Sequence, residues 1–349
     1  MGQYWEIFNI SRRQVGEIEG RGLKFGEFFF VKQDFLVRSL TIPFESPELL
    51  AYYDLVPKRR YENGLLSLPD ELLLEIIAYA RRIATLWDVA CFAITCRKML
   101  ILSRDSLNYD RAVEAAPWYS CRIACIGDYA TVDDLPDQIM NAAQRAQLKK
   151  SNERESNEES DGESDGESYA GLYSYMIGRT VLFHGAFALP KEAQRHFYRM
   201  AKGDQALYRA ALSLSYPNRD DWALFNVTKE VYVRASALAE LAGKPSDPQP
   251  FLPSCRVDLG HALLIRIAWS SDGSLSMRTD IDIHRGPWAG DRFFISTMDK
   301  PPPCYKALTM KGWRDVSEEI VRDLKEIYNG DAEALGGPVF EQDEDGWEY

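Results

Sequence analysis

The chain has 349 residues, 46% hydrophobic and 12% aromatic, enough apolar material for two or three compact units with packed cores. Its formal net charge of −12 makes a field that repels phosphate, so nucleic acid is disfavoured as a partner. The charge is unevenly placed: residues 151–168 carry −7 and residues 331–349 another −7, which leaves the remainder at +2.

Residues 1–65 read as a β-rich, irregular segment. Residues 4–9 are aromatic and β-branched, a polar turn follows at 11–14, and 28–31 is a second strand candidate. Pro43, Pro47 and Pro57 then punctuate a loop-like stretch. Residues 66–104 change to a helical period. Leu72, Leu73, Ile76, Ile77 and Ala80 share one apolar face, and Leu86, Val89, Ala90, Ala93 and Ile94 a second. Residues 105–150 continue as a helical connector, with Asp134-Leu135-Pro136-Asp137 placed to open a helix over 138–150.

Residues 151–168 contain Asp-Gly-Glu-Ser twice and hold almost nothing apolar to offset the entropy of ordering, so they are expected to be disordered. Ser156, Ser160 and Ser164 each have a Glu three positions later, a pattern resembling acidophilic kinase sites; a plain solvated linker fits equally.

Residues 169–330 read as an α+β recognition domain. Strands are expected at 181–183, 223–227, 231–233, 262–269 and 292–296, and helices near 191–202 and 205–214. Ser270-Ser271-Asp272-Gly273 predicts a hairpin turn between 265–269 and 275–277. A last helix opens with a capping box at Asp315-Val316-Ser317-Glu318, carries Val316, Ile320, Val321, Leu324 and Ile327 as its stripe, and stops at Asn329-Gly330 before the acidic tail, 331–349.

One self-similarity links the two ends of this organisation. Trp5-Glu6-Ile7-Phe8-Asn9-Ile10-Ser11-Arg12 aligns with Trp222-Ala223-Leu224-Phe225-Asn226-Val227-Thr228-Lys229; Trp, Phe and Asn are identical, and only Glu6/Ala223 differs in kind. The alignment predicts two equivalent hairpins, each with an Asn-led turn, paired around a pseudo-two-fold axis within one β-layer, with the helical stretch inserted into the body they form. An aromatic strand followed by an Asn turn is also a common local motif.

The motif that bears on function is Leu68-Pro69-Asp70-Glu71-Leu72-Leu73, followed by Ile76-Ile77 and closed by Thr95-Cys96-Arg97. Pro69 pre-sets a first helical turn, and Asp70 and Glu71 suit a helix N-terminus. This segment resembles the F-box. It departs from that pattern at Ala78-Tyr79-Ala80, at Thr85-Leu86-Trp87-Asp88 and in having Met99 near the closing aromatic position. The Trp5 and Trp222 segments and Trp288-Ala289-Gly290-Asp291-Arg292-Phe293 are similar to an expanded family of uncharacterised fungal proteins often grouped through the F-box. The resemblance implies an adaptor that joins Skp1, and through it a cullin ubiquitin ligase, to an unknown substrate protein. It implies Leu68, Pro69, Leu72, Leu73, Ile76, Ile77, Leu86, Val89 and Met99 as Skp1-binding positions, some of which must instead be internal core. The alternatives are a non-enzymatic binding module with a vestigial helical hairpin and, more weakly, an enzyme with a pocket near His284 and Trp288.

No catalytic motif stands beside this one. The four His (184, 196, 261, 284) are scattered, Cys121-x-x-x-Cys125 has no second pair at zinc spacing, and phosphate-loop and nucleophile-elbow glycine patterns are absent, so no cofactor and no metal is expected. The six Cys read as reduced thiols. With no apolar run near membrane-spanning length and no signal-like start, the expected location is cytoplasmic or nuclear, with no membrane partner. Gly2 lacks the Ser or Thr that myristoylation wants where Glu6 stands.

Overall fold

The structure, a computed structural model, describes residues 3–16, 22–55, 64–155, 179–181, 197–275, 277, 279–300 and 311–328. It is an α+β fold built on two sheets. The first has the order β5 (Arg179–Val181), β2 (Gln14–Gly16), β1 (Tyr4–Asn9), β4 (Ile123–Gly127), β8 (Ala268–Trp269), with β3 (Leu23–Lys24) also on β1. The second has the order β10 (Arg314–Asp315), β7 (Val231–Arg234), β6 (Trp222–Asn226), β9 (Phe293–Thr297).

The aligned segments, β1 and β6, do not share one layer as the alignment predicts; they lie in separate sheets, at the same place in each, because their tryptophans meet in the core between. Each forms a hairpin whose closing pair is an Asn, Asn9 with Gln14 and Asn226 with Val231. Each Asn side chain takes turn amides: Arg12 N donates to Asn9 Oδ1 at 3.1 Å, and Thr228 N and Lys229 N donate to Asn226 Oδ1 at 3.0 and 3.1 Å. Both turns hold a non-glycine residue in the left-handed region at the same offset, Arg13 at φ 52° and Glu230 at φ 53°. On its other side each strand pairs antiparallel with a later one, Asn9 opposite Ile123 and Asn226 opposite Phe293.

The match continues across the seam where the sheets meet. Ser120 N donates to Phe293 O at 2.6 Å, and Gly290 N donates to Ile123 O at 2.9 Å. Each sheet also receives an arm from the other half. Helix α1 (Asp34–Leu40) leads into Thr41, which bridges Ile295 of β9 in parallel; helix α9 (Leu259–Ile267) leads into β8, which pairs in parallel with β4. Trp118 N donates to Ser39 O at 2.9 Å, and Trp288 N to Arg266 O at 2.8 Å, so both arms are tied in the same way. The chain between Thr41 and Trp118 contains α2 (Pro47–Leu55), α3 (Asp70–Ile83), α4 (Leu86–Ala93) and α5 (Arg97–Ala115). The matching stretch after Ala268 contains no helix among its described residues.

Strand alternation explains the layers. Trp5 and Ile7 of β1, with Trp222 and Leu224 of β6, point into one shared core with α1 and α9. To this core α8 (Ala235–Leu241) adds Leu238, and α10 (Ser317–Ile327) adds Ile320 and Leu324. Phe8, Ala124 and Ile126 point the other way, onto Ile139, Met140 and Leu148, the last in α6 (Ala142–Glu155). Ala223, Phe225 and Phe294 meet Ala112 and Ala116 at the end of α5.

Both arm helices begin at one buried carboxylate. Asp258 Oδ1 accepts from Gly260 N (2.9 Å) and His261 N (3.1 Å) at the start of α9, and Oδ2 accepts from Gln33 N (3.1 Å) at the start of α1. His261 Nδ1 lies 2.9 Å from Oδ1. Burial alone would raise this carboxyl, but His261 and Lys32 outweigh it and hold the group below the usual carboxylate range.

Several sequence expectations are corrected. Residues 25–29 form a short 3-10 helix rather than contributing to a strand at 28–31, because Phe25, Phe28 and Phe29 all turn into the core. Residues 34–40 and 47–55 are helices within the stretch read as β-rich and loop-like. Residues 123–127 form the fully buried strand β4 inside the expected helical connector, so Cys121 and Cys125 are buried thiols at and within a strand, not a helical pair. Residues 259–267 are a helix, followed by a strand at 268–269; Trp269 bridges Arg285, and among the described residues no hairpin joins 265–269 to 275–277. Helix α6 opens at 142 and runs to Glu155, into the start of the expected disordered insert. Helix α7 is Lys202–Leu212. Asp315 caps the last helix through Ser317 N (2.9 Å), with Val316 at the cap position. The rest of the acidic insert with its three serines, Gly2, residues 191–196, the stop at Asn329-Gly330 and the acidic tail lie outside the described residues.

Trp5→Ala and Trp222→Ala should each cost about 3–5 kcal/mol in urea denaturation and should unfold both sheets in one transition, since the two rings share a core. The lowered Asp258 carboxyl contributes stability that is present above the unfolded value of about 3.9 and lost as pH falls through the folded value. Asp258→Asn should therefore lower stability at pH 7 by about 2 kcal/mol. It should also flatten the acid side of a stability–pH profile measured by denaturation.

Candidate docking site on the helical segment

Residues 64–115 build a small helical unit. Pro69 stands at the start of α3, with Asp70 and Glu71 in the first turn, where the helix dipole favours acids, and Arg81 and Arg82 in the last. Thr85 and Asp88 cap α4 reciprocally: Asp88 N donates to Thr85 Oγ1 (3.4 Å), and Thr85 N to Asp88 Oδ2 (3.0 Å). Cys96 stands at the start of α5, its Sγ accepting from Met99 N at 3.5 Å.

Lys98 fastens the Leu-Pro start to α5. Its Nζ donates to Leu66 O (3.1 Å) and Leu68 O (3.2 Å) and pairs with Asp70 at 2.9 Å. At the other end, Arg81 forms a two-point pair with Asp110 and lies over the Tyr109 ring. The unit is anchored to the body through the buried Arg111, which donates to Ala211 O in α7, and through the Arg104–Glu45 pair.

This geometry divides the nine positions implied by the sequence. Leu73, Ile77 and Met99 are buried together in a small core beneath α3. Val89 is buried in a separate cluster with Leu49, Leu207 and Tyr208, and Leu86 packs half-buried against it. Leu68 and Ile76 are half-buried at the edge of the α3 core, Pro69 is exposed, and Leu72 is 50% exposed.

Two further side chains belong with Leu72. Tyr79 is 63% exposed and Ile83 is 72% exposed. Spacings of four, three and four residues put Leu72, Ile76, Tyr79 and Ile83 on one stripe of α3. The resemblance counts Tyr79 only as a departure from the F-box pattern and does not include Ile83. Extending the periodicity from Leu72 past Ile76 would have found them. The stripe is flanked by Glu75 on one side and ends at exposed Arg82.

The second sequence candidate is not a matching constellation. Trp288 is buried in the main core against Phe293, whereas half-buried His284 pairs with Asp282 at 2.7 Å. Arg285 pairs with Asp134 at 2.7 Å and lies over Trp269. Among the described residues no group of three or more His, Cys, Asp or Glu could hold a metal ion, and no helix is long and apolar enough to cross a membrane.

No family model, curated protein or solved structure matches the chain.

Leu73→Ala should cost about 2–5 kcal/mol and Leu72→Ala less than about 0.5 kcal/mol in chemical denaturation. Equal costs would mean that the two leucines are not divided between core and surface in solution.

Proposed function

We propose that the chain is a non-catalytic adaptor of the F-box type, docking a Skp1-like partner through α3 while the α+β body recognises a substrate protein. The observation that carries this reading is the stripe of exposed Leu72, Tyr79 and Ile83 with half-buried Ile76 among them, on a helix whose opposite face is already satisfied. A monomeric surface rarely leaves several large apolar side chains in a row, and such a stripe fits a helix-in-groove contact. The Leu-Pro start is held in place by Lys98, so α3 is presented as a rigid element and little ordering entropy is lost on binding. Joining two proteins in this way does no chemistry; it raises the local concentration of one near the other.

Co-expression with Skp1 should give a co-purifying complex that Leu72→Asp and Tyr79→Asp each weaken at least about tenfold, with fold and melting temperature kept. Leu50→Asp, at an exposed position on α2, should leave it intact. Absence of the complex, or a complex indifferent to the two α3 changes, refutes the reading and leaves a helical hairpin that serves only the fold.

A further inference from the structure

The sequence shows no strong basic patch, but the fold gathers several cations at the seam. Arg122 and Arg292 oppose each other in an antiparallel bridge, which sets both side chains on the same face, where like charges work against pairing. Each is joined to a hairpin turn. Arg122 N donates to Ser11 Oγ at 3.0 Å, next to Arg12, and Arg292 N donates to Thr228 Oγ1 at 3.1 Å, next to Lys229. Arg292 is further held by Ser120 O at 2.7 Å. The result is two matched pairs, Arg12 with Lys229 and Arg122 with Arg292, converging from the two halves. Arg12, Lys229 and Arg292 are exposed, and neither Arg12 nor Arg292 forms an ion pair among the described residues.

Among the described residues, the acidic sequence neighbours of these four cations are Glu230 and Asp291. Glu230 is exposed in the second turn. Asp291 is buried, accepts from Asn226 Nδ2 at 2.9 Å and lies 3.9 Å from Lys229 Nζ. Burial raises its carboxyl above the usual range despite these two partners.

We propose that this seam is a docking surface for an acidic polypeptide segment of a partner protein. Charge complementarity carries the proposal: guanidinium forks bind carboxylates in planar, two-point geometry, and a site built from both hairpins can follow an extended Asp/Glu run. The net charge of the whole chain favours a short acidic segment over nucleic acid. A long polyphosphate would feel the −12 of the molecule, whereas a short peptide within about 10 Å of the cations feels mainly them. The surface uses no residue of the α3 stripe, so it stands or falls independently of the adaptor reading.

The test is fluorescence anisotropy of a labelled twelve-residue polyglutamate peptide with the full chain at about 50 mM salt. The expected result is saturable binding that Arg12→Glu with Lys229→Glu weakens about tenfold or more and that about 0.5 M salt abolishes. Both side chains sit at exposed turn positions, so the melting temperature should hold; should the double variant fail to fold, Arg12→Gln with Lys229→Gln should still weaken binding about threefold. Arg82→Glu, on exposed α3, should change nothing. Absence of binding to the unaltered chain, binding indifferent to the turn substitutions, or tighter binding of a DNA duplex of equal charge would each overturn the proposal, the last by assigning the surface to nucleic acid.

Discussion

Buried peptide groups must find hydrogen-bond partners, and at the seam of this fold those partners lie in the other half of the chain. Strand β4 receives β8 from the second half, and β9 receives Thr41 from the first. Ser120 and Gly290 donate across the same line in opposite directions. Neither sheet completes its inner edge alone. The Asp258 carboxylate adds to this dependence, because amides at the starts of both arm helices converge on it. The shared core of Trp5 and Trp222 lies behind these bonds, so backbone pairing, helix capping and side-chain packing all tie the same two halves together.

What was legible in the sequence follows from where each residue's signal comes from. The hairpins of β1 and β6 were readable because a strand with an aromatic inner face and an Asn-led turn is specified locally. Helix α3 was readable because Pro69, two acids and an apolar period mark its start. Helix α9 was not. Buried on almost every side, it reads as a continuous apolar run, which periodicity cannot distinguish from a buried strand. Strand β4 was not readable either: like β6 and β9 it is buried at every residue and shows no alternation, but Ile123-Ala124-Cys125-Ile126-Gly127 lacks the aromatic residues that mark those two. Tyr79 and Ile83 lie outside the family-like positions, four of which the fold places in its interior.

Charge shows a similar gap between chain and fold. Counting along the sequence locates the acidic excess in two segments and leaves a body near neutral. That count says nothing of how cations from separate turns are brought together. The bridge between Arg122 and Arg292 does this, since it joins strands that are far apart in sequence and carries Arg12 and Lys229 with them. A near-neutral total is thus compatible with a local gathering of cations.

The bond from Trp118 N to Ser39 O has a further meaning for the helices between them. It makes the points where the chain departs and returns immediate neighbours, fixed by the sheet whatever the intervening segment does. The second half closes a short stretch, without a helix among its described residues, with the corresponding bond from Trp288 N to Arg266 O. Because closure entropy grows only slowly with loop length, such a junction works as a socket. The same scaffold can carry a turn or a helical cassette there, and a binding function can be gained, exchanged or lost at that point while the sheets keep their register.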